Sequence, residues 1–187
     1  MSELTTFVAL LRGINVGGNN LISMARLRTR VETLGYAHVQ TYINSGNVIF
    51  QSDCIDARRL EGEIENALVA ELASPTKVIV LSFEKVEQIV SYIPKSWHLQ
   101  TDQKCNVIFL HHSIDRPEIV QQFNPKPEIE QLSYTPGALF WSAKLSSITR
   151  STMTKISNMS VYQHMTVRGL NTTRRIHQLM GERNRSS

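Results

Sequence analysis

Two short stretches concentrate residue types that bind rather than pack. Arg12-Gly13-Ile14-Asn15-Val16-Gly17-Gly18-Asn19 sets three glycines, two asparagines and a guanidinium within eight residues, and Asn44-Ser45-Gly46-Asn47 adds a fourth glycine among amide and hydroxyl side chains. Backbone N–H groups of a glycine-rich loop ahead of a helix form a concavity that favours anions. Arg12 adds an always-charged fork that matches a phosphate or a carboxylate. Gly13 and Gly18 bracket four residues, the glycine spacing of a P-loop, yet Asn19 and Asn20 stand where Lys and Ser or Thr belong. Without that lysine the terminal phosphates have no counter-charge, and without the hydroxyl magnesium loses a ligand, so nucleoside triphosphate hydrolysis is excluded. The competing reading of the glycines is a tight strand-to-helix connection in which Asn15 and Asn19 satisfy loop carbonyls.

Other reactive residue types give less. His111 and His112 follow a strand, so their side chains are expected on opposite faces, and the remaining histidines (His38, His98, His164, His177) lack ligand spacing; no metal site is expected. Cys54 and Cys105 share no metal or redox spacing and suit a reduced cytosolic state. No Gly-x-Ser-x-Gly elbow occurs, and no nucleophile–base pair is visible, which leaves open whether the chain is an enzyme. Residues 145–187 carry seven basic groups against Glu182 alone. A segment of that charge attracts polyanions, so nucleic-acid binding is the alternative to a small ligand. Phe50 and Tyr42 alone do not make the aromatic signature of an RNA-reading sheet.

The positioning elements follow from periodicity. Phe7 to Leu11 is short and nearly all apolar, a first strand. Ser23 caps a helix over Met24 to Leu34, with Met24, Leu27, Val31 and Leu34 on one face and Gly35 as its stop. His38 to Ile43 and Val48 to Gln51 alternate around the Asn44-Ser45-Gly46 turn. Asp56 caps a helix over Ala57 to Leu72, and Lys77 to Leu81 closes a β-α-β-β-α-β unit. Strands one and two of such a unit run the same way, so the loop after the first and the hairpin after the second leave the sheet at one edge. That edge is the expected site. The remainder reads as helix (Phe83 to Ile93), strand (Lys104 to His111), helix (Pro117 to Phe123), two strands around Thr135-Pro136-Gly137, then helices near Ile148 to Ile156 and Arg168 to Met180. Thr166 would cap the last helix and place Arg168 in its first turn, opposed to the macrodipole and suited to an anion.

The expected fold is α+β, two ferredoxin-like (split βαβ) halves in tandem, with mostly antiparallel sheets and helices on one face. The halves are expected at 1–83 and 84–187, the second ending in basic helices. Hydrophobic residues at 41% and charged residues at 19% fit a folded globule, and no apolar run approaches a membrane span. Glu3 precedes a short apolar run with no basic leader, so no signal peptide is expected and the location is cytoplasmic.

The segment from Phe7 to Gly35, with Leu11-Arg12-Gly13-Ile14-Asn15-Val16-Gly17-Gly18-Asn19, and Thr41-Tyr42 with Ser45-Gly46-Asn47-Val48, resembles the bacterial family known as domain of unknown function 1697. That family has a Thr-x-Arg-Asn-Trp-x-Thr segment near its end. Here Thr166, Arg168 and Thr172 align, while Gly169 and Leu170 depart from it. The resemblance implies a cytoplasmic bacterial protein with tandem ferredoxin-like halves, and implies no activity; no cofactor is expected. The sequence therefore points to an unknown small anionic ligand held by Arg12, Gly13, Asn15, Gly17, Gly18, Asn19, Asn44, Ser45, Gly46 and Asn47, with Arg168 as an outside contributor.

Overall fold

The structure, a computed structural model, describes residues 4–18, 20–98 and 102–185. These fall into two compact units, one drawn from residues 1–87 and 175–187, the other from 88–174.

In the first unit β1 (Thr5–Leu11), β2 (Ala37–Tyr42), β3 (Asn47–Ser52) and β4 (Val78–Ser82) form one sheet in the order β2-β3-β1-β4, with every neighbouring pair antiparallel. Helices α1 (Met24–Glu32) and α2 (Ala57–Leu68) supply the crossovers. The Ser23 hydroxyl accepts the Arg26 N–H and opens α1, and the Asp56 carboxylate accepts the N–H groups of Arg58 and Arg59 to open α2. Leu27 and Val31 from α1, with Leu60, Ile64 and Leu68 from α2, pack on Phe7, Ala9, Leu11, Val48, Phe50, Val78 and Val80 in one core. Each large apolar side chain so withdrawn from water contributes about 1.5–3 kcal/mol. Helix α2 stops at Leu68, short of the expected Leu72, because a tight turn hydrogen-bonded to the Leu68 carbonyl follows it. Leu72 still packs against the same core from that turn. Edge strand β4 is not left bare: Glu61 and Glu65 of α2 accept its Val80 and Val78 N–H groups.

The second unit repeats the layout. Strands β5 (Gln103–Leu110), β6 (Glu130–Thr135), β7 (Ala138–Lys144) and β8 (Met165–Gly169) lie in the order β6-β7-β5-β8, again wholly antiparallel. The short α4 (Ile119–Phe123) is the first crossover. Helices α3 (Phe83–Ser91) and α5 (Leu170–Asn184) each straddle the division between the units.

Two expectations fail here. The helix near Ile148 to Ile156 is replaced by three 3-10 turns, Leu145–Arg150, Thr152–Asn158 and Ser160–His164. The segment is rich in Ser and Thr, and the hydroxyls of Ser151 and Thr154 donate to the carbonyls three residues back. Such side chains compete with the α-helical ladder and tighten the backbone. Thr166 and Arg168, expected to cap and open the last helix, lie in the strand β8, paired along β5 from Leu110 to Asn106. The true helix begins after Gly169, whose carbonyl accepts the Thr173 hydroxyl. Among the described residues no helix is long and apolar enough to cross a membrane.

Candidate functional site

The rim at which β1 ends is assembled as topology requires. The Leu11 N–H donates to the Gly46 carbonyl at 2.8 Å, and the Arg12 N–H to the Lys77 carbonyl at 3.0 Å. The Thr76 hydroxyl donates to the Arg12 carbonyl. Asn15 then ties the loop to the hairpin. Its Nδ2 donates to the carbonyls of Ile22 (2.9 Å) and Asn44 (3.0 Å), while its Oδ1 accepts the Ile22 N–H at 2.9 Å. The loop after β1 and the β2–β3 hairpin therefore stand side by side.

The glycines divide into two kinds. Gly13, Gly17 and Gly18 have φ of +65°, +59° and +79°, and an added Cβ at any of them would meet nothing within 4 Å. They are needed for conformation alone, since the left-handed region penalises a side chain. Gly46, at φ +74°, is different: a Cβ there would lie 2.7–2.9 Å from Ile14 and Leu11 side-chain atoms. It lets the hairpin close onto the loop.

Several amide side chains serve the scaffold. Asn47 is buried, and its Nδ2 donates to the Tyr42 carbonyl (2.9 Å) and to the Ser45 hydroxyl (3.1 Å). The sequence did not flag Asn20, yet it is buried, and its Oδ1 accepts both the N–H and the hydroxyl of Ser74. Asn44 is exposed, and Arg12 is half-buried at the end of β1. Asn19 lies outside the described residues. The rim thus brings together Arg12, Gly13, Asn15, Gly17, Gly18 and Asn44 through Asn47. It also carries three apolar side chains that no polar-residue search would find: Val16, Leu21 and Ile43 are 63%, 68% and 46% exposed.

Arg168 has another role than the one expected. It belongs to the second unit and lies on β8, opposite Val107, with its guanidinium buried and donating to the Thr166 hydroxyl at 2.6 Å and the Val167 carbonyl at 3.0 Å. Burial lowers its pKa to about 10. Residues 165–169 are strand, so Arg168 does not sit in the first turn of a helix. Two further basic residues of 145–187 have polar partners. Besides buried Arg168, Arg175 pairs with Glu182 at 3.5 Å and Arg183 donates to Gln40 at 3.2 Å.

The opposite end of the same sheet holds a cleft of about 610 Å³, lined among others by Tyr36, Cys54, Arg59 and Glu63. Tyr36 donates to Glu63 at 2.6 Å, and Arg59 pairs with it at 2.8 Å. Burial, then the Glu63 bond, pushes the Tyr36 phenol up; the Tyr36 and Arg59 bonds hold Glu63 below its ordinary value.

In the second unit the corresponding rim is built the same way with other side chains. The Leu110 N–H donates to the Gly137 carbonyl (3.0 Å) and the His111 N–H to the His164 carbonyl (2.9 Å). Asp115 stands in for Asn15, accepting the Gly137 N–H at 2.8 Å and the Tyr134 hydroxyl at 3.0 Å. His111 and His112 do not diverge as expected. They lie past the end of β5, where strand alternation no longer applies, and their rings lie tilted by 39° with centroids 3.9 Å apart. Ser113 Oγ sits 2.8 Å from His111 Nδ1 and 3.3 Å from His164 Nδ1.

Residues 4–140 match the model of the family described as "Protein of unknown function (DUF1697)", and the chain belongs to that family. It is similar in structure to the conserved bacterial protein SP0830 from Streptococcus pneumoniae, with 26% identity, a TM-score of 0.84, and coverage of 95% of this chain and 99% of that one. No curated protein matches the chain.

Proposed function

We propose that this member of the DUF1697 family is a cytoplasmic protein that binds a small anionic ligand, a phosphate, nucleotide or carboxylate, at the rim formed by Arg12 to Gly18 and Asn44 to Asn47. One observation carries the reading. Gly17 and Gly18 are exposed, both left-handed, and their N–H groups donate to no acceptor among the described residues. Two such consecutive donors in the loop that Arg12 opens, between a strand and a helix, are what an anion requires. Asn15, Asn20 and Asn47 support the reading indirectly: by satisfying the loop's own carbonyls and amides they hold these two donors outward in a fixed shape. Val16, Leu21 and Ile43 offer an apolar flank for the body of the ligand.

Amide chemical shifts followed during titration with sulfate, inorganic phosphate, AMP and citrate test the proposal. The Gly17 and Gly18 resonances should move with at least one anion, and Arg12→Ala should weaken that binding about tenfold, as expected for one charge-assisted hydrogen bond. Resonances that stay still across the whole set would remove the proposal.

A further inference from the structure

The second unit contains a cationic cavity that the rim does not account for. The segment after α4 and the first two 3-10 turns face each other across about 600 Å³ of open space. Its walls are tied together by one buried carboxylate. Glu130, 3% exposed, accepts the Lys126 N–H (3.1 Å) from one wall and both the N–H and the hydroxyl of Thr152 (3.1 and 2.9 Å) from the other. The Trp141 indole N–H, at 2.6 Å, anchors the same carboxylate to the sheet. A second strut crosses between the walls, from Lys126 Nζ to the Arg150 carbonyl at 2.7 Å. The cavity is held in shape by these bonds before any ligand arrives.

Its lining is net positive. Lys126, Arg150 and Lys155 all line it, and among the described residues none of the three has a carboxylate within ion-pair distance. Glu128 is the one acidic side chain in the lining, and Glu130 is turned inward to its four donors. Like charges gathered around a concavity repel one another and focus the field on whatever enters it. The exposed Thr149 adds a hydroxyl beside Arg150, and Phe123, Ile129 and Met159 add an apolar floor. A multiply charged head suits the cations, and an apolar or aromatic body suits the floor.

We infer that this cavity binds a phosphorylated small molecule with an apolar or aromatic body, the class to which nucleoside phosphates belong. The site is separate from the rim of the first unit, shares no residue with it and goes beyond the function proposed there. It also gives Arg150 and Lys155, part of the basic run at the end of the sequence, a concave target in place of an extended polyanion.

Titrating the full chain with ADP and with pyrophosphate, by calorimetry and by amide shifts, tests the inference. ADP should bind more tightly than pyrophosphate and move resonances in 122–129 and 149–159. The exposed substitutions Arg150→Ala and Lys155→Ala should each weaken ADP about tenfold at unchanged melting temperature, while Arg12→Ala leaves that affinity within about twofold. Absence of binding up to about 5 mM of either probe, or affinity indifferent to Arg150 and Lys155, would overturn it. So would heparin or duplex DNA occupying these cations without competition from ADP, which would make the cavity part of a polyanion surface.

Discussion

In the first unit a twelve-residue helix, α2, carries the chain from β3 back to β4; in the second, three 3-10 turns carry it from β7 to β8. The two sheets are otherwise superimposable in order and direction. Where α2 lays Leu60, Ile64 and Leu68 on its sheet, the 3-10 segment buries Ile156 and leaves a cavity against the loop after α4. A helix satisfies its own backbone, so α2 needs only caps and an apolar stripe. Short turns leave N–H groups over, and the second unit answers with Glu130, a carboxylate bonded to two backbone N–H groups, a hydroxyl and an indole. Both units therefore close on a hydrophobic core, and the second adds a buried polar hub where the first has a helix.

The largest expected effect breaks that hub. Glu130→Ala strands Trp141 Nε1 and the Thr152 and Lys126 N–H groups, and should cost about 3–5 kcal/mol. Both tryptophans, Trp97 and Trp141, belong to the second unit, so fluorescence-detected urea unfolding reads this unit directly. A loss under about 1 kcal/mol would mean that the hub is decorative. The pH dependence has a definite sign. Burial acts to raise the Glu130 carboxyl, but the bonds from Trp141, Lys126 and Thr152 outweigh it and hold the group below the ordinary glutamate value. Its contribution is thus complete above the unfolded-state pKa and is lost as pH falls through the lower folded-state pKa. Glu130→Gln should flatten the loss of stability in that acid window.

A smaller effect separates packing from conformation inside the first unit. Gly46→Ala meets Leu11 and Ile14 at under 3 Å and also strains a φ of +74°, so it should lose about 2–4 kcal/mol. Gly17→Ala has open space and strains φ alone, for about 1 kcal/mol. Equal melting temperatures for the two variants would undo the distinction drawn between the glycines of the rim.

The first unit was legible because its signals are local. Ser23 and Asp56 are caps by residue type, Gly35 and Gly46 carry the positive φ their positions suggested, and the shared direction of the first two strands placed the loop beside the hairpin. The second unit hid its devices in long-range pairs. Nothing near Thr166 says whether it caps a helix or alternates in a strand; pairing with β5, about sixty residues earlier in the chain, decides it. Ile148, Thr152 and Ile156 mimic a helical stripe, and only the hydroxyl-to-carbonyl bonds of Ser151 and Thr154 reveal the tighter winding. Glu130 reaches Thr152 across 22 residues, so the cavity could not be seen in one dimension. At the rim, Asn15 as a satisfier of loop carbonyls was one of two readings of the sequence, and its bonds to Ile22 and Asn44 bear that one out; the bracing of Tyr42 by Asn47 had no local signal.

The finest comparison sets Asn15 against Asp115, two side chains in corresponding places with opposite polarity. Asn15 must both donate and accept, whereas Asp115 only accepts. Asn15→Asp turns two donors into repelled lone pairs facing the Ile22 and Asn44 carbonyls, and should cost about 1–2 kcal/mol. Asp115→Asn keeps an oxygen for the Gly137 N–H and the Tyr134 hydroxyl, and should cost under about 1 kcal/mol. Its signature is spectroscopic rather than thermodynamic. Burial, then the bond and negative charge of Asp115, push the Tyr134 phenol up to about 12. Removing the charge removes part of that shift, so ultraviolet titration of Asp115→Asn should show one tyrosine ionising at lower pH than in the parent chain. If instead both exchanges were equally costly, the two rims would be held by shape alone, and the difference in polarity between them would carry no structural meaning.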